Sequence, residues 1–141
     1  MLGQIVVGLT AAYAAAKFGG QYFLSIPKGP IVDLGYSIYE GVAQSNGQNQ
    51  FLGIRFAAPP IGDLRFRRPQ PPLNTTGIQS AKEYGSICYS VGEGLVEGHS
   101  EDCLFLNIWI PSNATADSKL PVLFWIQGGG YNTNSQPNVS A

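Results

Sequence analysis

The two strongest apolar runs of the chain are Leu104-Phe-Leu-Asn-Ile-Trp-Ile110 and Val122-Leu-Phe-Trp-Ile126. Both are too short for a helix, and each is punctuated by proline, with Pro111 ending the first and Pro121 opening the second. Each predicts a strand. The second shows no alternation of polar and apolar positions, so it requires cover on both faces, as in a parallel sheet of an α/β domain. Upstream, residues 31–42 mix Ile, Val, Leu and Tyr with glycine in the manner of strands joined by turns. Asn46-Gly47 has the chemistry of a two-residue hairpin loop leading into Phe51-Leu-Gly-Ile-Arg-Phe56. These segments predict a small antiparallel meander. The proline-rich stretch 59–73 excludes regular structure, and residues 78–84 have room for one short element.

The amino-terminal residues 1–16, MLGQIVVGLTAAYAAA, read as a secretory leader, with an apolar core from Ile5 and small-residue cleavage options at Ala12-Tyr13-Ala14 or Ala14-Ala15-Ala16. The run is too short to span a bilayer, which takes about 20 apolar residues. No Lys or Arg precedes that core, which leaves an ordinary Ala-rich helix as the other reading. Three sequons, Asn74-Thr-Thr, Asn113-Ala-Thr and Asn138-Val-Ser, lie in segments that read as loops and agree with export. A formal net charge of −1 with 12% charged residues lacks the basic footprint that nucleic acid requires. Hydrophobic residues make up 44% of the 141, enough for the core of one domain. Cys88 and Cys103 form an even pair. Joined, they close a loop of about 15 residues, for which chain entropy gives about 3 kcal/mol; the alternative is two buried thiols in a cytosolic protein.

The run 122–126 stops at Gly128-Gly-Gly130. Glycines at a strand end leave the backbone open to close approach, and exposed N–H groups there can bind an anion or an oxygen that becomes anionic during reaction. A flexible loop accounts for three glycines equally well.

Three segments together carry a family resemblance: Gly53-Ile-Arg-Phe-Ala-Ala-Pro-Pro-Ile-Gly-Asp-Leu-Arg-Phe-Arg-Arg-Pro69, Ser100-Glu-Asp-Cys-Leu-Phe-Leu-Asn-Ile-Trp-Ile-Pro111 and Trp125-Ile-Gln-Gly-Gly-Gly-Tyr131. They resemble the N-terminal portion of type-B carboxylesterases, the group of secreted esterases, fungal lipases and cholinesterases. Glu-Asp-Cys-Leu-x-Leu-Asn-Ile is a signature of that group. The resemblance implies an α/β fold, the N-terminal part of an α/β-hydrolase with the meander and the first strands of the central sheet. It covers residues 31–141 as a portion of the domain and implies hydrolysis of small-molecule or lipid carboxylic esters outside the cell, without cofactor or metal.

Matched residue by residue, Gly129 and Gly130 correspond to the oxyanion-hole donors, with Gly128 shaping the turn. Arg65 and Glu101 match a structural ion pair, expected to be buried and to cost about 3 to 5 kcal/mol when one partner is removed. Cys88 and Cys103 match the family's first disulfide. Gln127 stands where relatives often carry His or Tyr. The loop between the cysteines lacks the Trp with which cholinesterases stack a quaternary ammonium, which argues against a choline ester. Phe66, Trp109 and Trp125 read as core residues and His99 as a solvated loop residue. In this family a serine in Gly-x-Ser-x-Gly is followed by an acid and a histidine, all downstream of the glycines. No such segment occurs in residues 1–141. An esterase fragment inactive by itself is therefore expected, with a non-catalytic cholinesterase-like binding protein or a truncated gene product as alternatives.

Overall fold

The computed structural model describes residues 14–18, 21–25, 27–92, 94–130 and 132. Their elements are strands and one 3-10 turn, in the order β1 (Ala14–Phe18), β2 (Gln21–Ser25), β3 (Ile31–Asp33), β4 (Ile38–Glu40), β5 (Val42–Ala43), β6 (Gln48–Arg55), the turn Gly62–Leu64, β7 (Ile78–Ser80) and β8 (Phe105–Pro111). β1 and β2 form an antiparallel pair with Ala14 opposite Ser25 and Phe18 opposite Gln21. The remaining strands form two three-stranded sheets, β3-β4-β7 and β5-β6-β8. In the first, β3 and β4 are antiparallel and β7 joins β4 in parallel, Ile38 opposite Ile78. The second is antiparallel throughout.

The meander expected over residues 31–56 is present, and one loop differs in detail. Asn46-Gly47 closes a three-residue loop, not a two-residue one: Gly47 N–H donates to Gln44 O at 3.2 Å and Gln44 N–H to Gln48 O at 2.7 Å. A two-residue type I′ loop needs positive φ at both central positions. Only Gly47, at φ 80°, has it; Asn46 does not. The result is a type I turn followed by a left-handed glycine, the next most common hairpin solution.

The core lies where the two sheets meet. Tyr39 of β4, Phe51 and Ile54 of β6 and Ala81 after β7 are buried together, flanked by Val32, Leu34, Tyr36, Leu106 and Ile110. The chain passes from one sheet to the other at Gly41, where a Cβ would lie 2.3 Å from Gln50 O and 2.6 Å from the Phe51 ring. Only glycine fits that crossing. Lys28 and Gly29 are fastened to the same corner, their N–H groups donating to Glu40 Oε1 at 2.8 and 2.9 Å while Lys82 Nζ lies 3.0 Å from Glu40 Oε2. The Lys82 bond, aided by those two N–H groups, holds the Glu40 carboxyl below its usual value.

The strand expected at 104–110 is β8, shifted by one residue at each end. The one expected at 122–126 is not formed. Val122 to Ile126 make no strand pairing and stand 75 to 94% exposed. Apolar periodicity reports that a segment needs cover; it does not supply the neighbour, and among the described residues β8 pairs only with β6. Trp125 and Phe66 are accordingly exposed rather than core residues, and Trp109 is half-exposed on β8. Phe66 sits at φ 56° beneath the Arg65 guanidinium, 5.4 Å from its ring centre. The expected leader falls on residues 1–13, outside the described residues, and on Ala14–Ala16 at the start of β1.

Candidate functional site

β6 is bulged where it meets β8. Phe51 opposes Ile108 and Ile54 opposes Leu106, so Leu52 and Gly53 together face the single residue Asn107. Gly53 takes φ 67°, and a Cβ there would lie 2.8 Å from Glu83 O. Its N–H, turned out of the ladder, donates to Asn107 Oδ1 at 2.9 Å. Leu52 N–H goes instead to Ala81 O at 2.8 Å, tying the bulge to the end of β7. A glycine-led bulge increases the local twist and re-aims the residues after it. Those residues are Ile54 and Arg55.

Arg55 is thereby brought over β8. Its guanidinium forms a fork with Asp102, Nη1 to Oδ1 at 2.5 Å and Nη2 to Oδ2 at 2.9 Å, and lies 4.5 Å from the centre of the Phe105 ring. The Asp102 hydrogen bonds raise the Arg55 guanidinium above its already high value. Beside the fork, Arg65 Nε contacts Glu101 Oε1 at 2.9 Å, but with side chains 53 and 39% exposed against 23 and 35% for Arg55 and Asp102. The Arg65–Glu101 contact forms, yet it is a surface pair and not the buried one expected. The more sheltered pair is its neighbour. Arg55 and Asp102 both lie inside the signature segments, and an arginine between the apolar Ile54 and Phe56 is the signal that a partner was needed.

Next in the chain, Cys103 is bonded to Cys88, with Cα atoms 5.0 Å apart. Ile87 pairs in parallel with His99: Ile87 N–H donates to Gly98 O at 3.0 Å and Ser100 N–H to Ile87 O at 2.8 Å. His99 N–H closes a turn onto Val96 O at 3.1 Å. The loop 88–103 thus leaves the body through a narrow neck. His99 is part of that neck and partly exposed, its ring stacked against Tyr89 with ring centres 6.1 Å apart, a loop residue with more contacts than sequence suggested.

The loop reaches the glycines. Asn132 N–H donates to Gly129 O at 3.2 Å, closing a turn that begins at Gly129, and Asn132 O accepts the Val91 N–H at 2.9 Å. Gly130 has φ 59°, and among the described residues a Cβ on Gly128 would meet nothing within 4 Å. Trp125 Nε1 donates to Gln127 Oε1 at 3.3 Å just before the turn. Asn74 and Asn113 are exposed, whereas Asn138 lies outside the described residues. Away from the turn, an open depression is lined by Phe56, Ala57, Arg68, Pro69, Gln70 and Pro71. Among the described residues no group of His, Cys, Asp and Glu gathers as a metal site, and no helix is long and apolar enough to cross a membrane.

Residues 28–141 match the Carboxylesterase family. Carboxylesterase 5A of Mus musculus is 46% identical over 99 residues, covering 62% of this chain and 17% of that protein. Gut esterase 1 of Caenorhabditis elegans is 43% identical over 110 residues, covering 76% of this chain and 19% of its own. Among solved structures, EstA of Aspergillus niger is 54% identical with a TM-score of 0.75, covering 78% of this chain and 22% of that one. A thermophilic pNB esterase is 34% identical with a TM-score of 0.63, covering 73% and 22%. The chain therefore spans about a fifth of the length of these relatives. A family match over residues 28–141, which include the bulged strand, the disulfide neck and the glycine turn, together with the overall likeness to solved esterases, makes this chain a member of the carboxylesterase family that takes up part of the α/β-hydrolase fold.

Proposed function

We propose that this chain is the oxyanion-binding portion of a secreted serine ester hydrolase acting on small-molecule or lipid carboxylic esters. The observation that carries the reading is the glycine turn, lying within the family match and closed by Asn132 N–H on Gly129 O. Gly129 and Gly130 supply backbone N–H groups to the carbonyl oxygen of an ester as it gains negative charge. Such donors stabilise a transition state but cannot form the acyl-enzyme, which needs a serine with its histidine and acid. No Gly-x-Ser-x-Gly segment occurs in residues 1–141, so these residues alone bind an ester without cleaving it. Export is supported by the leader-like residues 1–16, by exposed Asn74 and Asn113 in their sequons, and by the Cys88–Cys103 bond.

The relatives' names support an ester substrate: one is a fumonisin B1 esterase of Sphingopyxis macrogoltabida, 46% identical over 90 residues. Two measurements test the reading. Residues 1–141, secreted from a eukaryotic host, should leave p-nitrophenyl acetate unhydrolysed, and turnover abolished by an organophosphate would overturn the catalytic half. Reading the transcript past Ala141 should give Gly-x-Ser-x-Gly followed by an acid and a histidine. An intact downstream domain without that serine would instead indicate a binding protein.

A further inference from the structure

We propose that the disulfide loop 88–103 is a clamp that sets the shape of the glycine turn, and that its working contact is the Val91 N–H on Asn132 O. The claim deepens the oxyanion reading and rests on it for its functional meaning, although the clamp itself is a separate structural statement. Glycine loses more conformational freedom on ordering than any other residue, about 1 to 2 kcal/mol for each backbone fixed. Three in succession will not hold an orientation unless something outside them does. Side-chain packing is sparse at two of them: among the described residues a Cβ on Gly128 would touch nothing within 4 Å, and one on Gly130 would find Asn132 Oδ1 at 3.6 Å. Two backbone bonds bear on the turn, Asn132 N–H to Gly129 O at 3.2 Å and Val91 N–H to Asn132 O at 2.9 Å. The second reaches into the disulfide loop.

That loop is able to bear the load because its neck is fixed by independent ties. Cys103 is bonded to Cys88, Asp102 is gripped by Arg55, and Ile87 is bonded on either side of His99. The route from the β6 bulge to the glycines is therefore continuous: Gly53 aims Arg55, Arg55 holds Asp102, the neck holds the loop, and Val91 holds Asn132. Donors oriented before the substrate arrives need no reorganisation during the reaction, which is the condition for oxyanion stabilisation. Val91 is a positioning residue here, acting through its backbone, since its side chain stands 79% exposed.

Val91 precedes Gly92, whose φ of 79° is that of the third position in a type II turn. The second position of such a turn accepts proline, so Val91→Pro removes the N–H without opposing the backbone. Amide hydrogen exchange followed by NMR on the 15N-labelled chain reads the consequence. Loss of one hydrogen bond should speed exchange at Asn132 about five- to tenfold in Val91→Pro. The Leu52 and Ala81 amides, bonded to Ala81 O and Glu40 O in the body, should keep their rates. Val91→Ala retains the N–H and should match the unsubstituted chain, while Cys88→Ser/Cys103→Ser should match Val91→Pro at Asn132. Unchanged exchange at Asn132 in Val91→Pro overturns the clamp, as does equal acceleration in Val91→Ala. If the double serine variant also loses protection at Leu52, the two Val91 variants decide. Acetate added to the unsubstituted chain tests the oxyanion reading separately: shifts at Gly129 and Gly130 support it, and their absence beside an intact clamp counts against that reading alone.

Discussion

Glu101 and Asp102 are adjacent acids in the signature segment, and removing them has unequal consequences. Asp102 accepts two hydrogen bonds from a guanidinium that also lies 4.5 Å over the Phe105 ring. Asp102→Ala strips both bonds and leaves the Arg55 charge, whose side chain is only 23% exposed, against an aromatic face without a carboxylate. Hydrogen bonds to charged groups contribute about 1.5 to 3 kcal/mol, and breaking a fully buried pair costs about 3 to 5. Partial exposure of Asp102 places its loss in the lower range, about 1.5 to 3 kcal/mol. Glu101 makes a single contact with an arginine 53% exposed, so Glu101→Ala should cost less than about 1 kcal/mol. Urea unfolding followed by far-UV circular dichroism measures both, provided the slope with denaturant is unchanged. Added salt should shrink the Glu101 effect more than the Asp102 effect, because exposed pairs are screened more strongly. A Glu101→Ala cost equal to or above that of Asp102→Ala would refute the ranking and the use of exposure to derive it.

Other expectations concern the rest of the body. The folded Glu40 carboxyl is held below its usual 4.5, so its contribution is present above that pH and is lost as pH falls through the lower folded value; the stability gap between the natural chain and Glu40→Gln, measured by urea unfolding, should close on acidification from pH 4.5. A Cβ at Gly85 would lie 2.4 Å from two Phe105 ring atoms, and that ring carries the Arg55 guanidinium. Gly85→Ala should therefore cost about 1 to 3 kcal/mol, with an unchanged urea midpoint as the contrary result. The exposed run 122–126 should bind 8-anilinonaphthalene sulfonate, and ending the chain after Pro121 should remove most of that fluorescence; equal dye binding by both chains would place the apolar surface elsewhere.

Local chemistry was readable from the sequence wherever one residue type decided the conformation. Pro111 closed β8, Gly47 ended its turn, and the prolines of 59–73 excluded all but the 3-10 turn at Gly62–Leu64, whereas Pro121 opens a run that forms no strand. The signature segments also led to the Cys88–Cys103 bond and to the Arg65–Glu101 contact, both of which form. What sequence could not rank was exposure. Arg55 between Ile54 and Phe56 signals that a partner is needed, but not that Asp102 rather than Glu101 supplies it or how far the sheet shelters the pair. Asn107 is a polar residue inside an otherwise apolar strand. Its purpose depends on a bulge that exists only once β6 and β8 are in register, where its Oδ1 takes the N–H that Gly53 turns out of the ladder. The parallel pairing of β7 with β4, joining residues 40 apart in Ile38 and Ile78, is likewise a long-range choice without a local signal.

The contrast between residues 122–126 and the glycines that follow them separates two kinds of order. Burying an unalternated apolar strand takes surfaces on both of its faces, and none of the described residues covers it. Closing a turn takes local backbone bonds, such as Asn132 N–H on Gly129 O and Val91 N–H on Asn132 O, rather than cover on two faces. The glycine turn can therefore hold its shape while the apolar run before it lies open. Under the proposed function this assigns the expected inactivity of residues 1–141 to a missing nucleophile and not to a collapsed oxyanion site. It also locates a weak point of the site in the neck of the disulfide loop, because Arg55, Asp102, Cys88 and Cys103 together fix the loop whose Val91 N–H reaches Asn132 O.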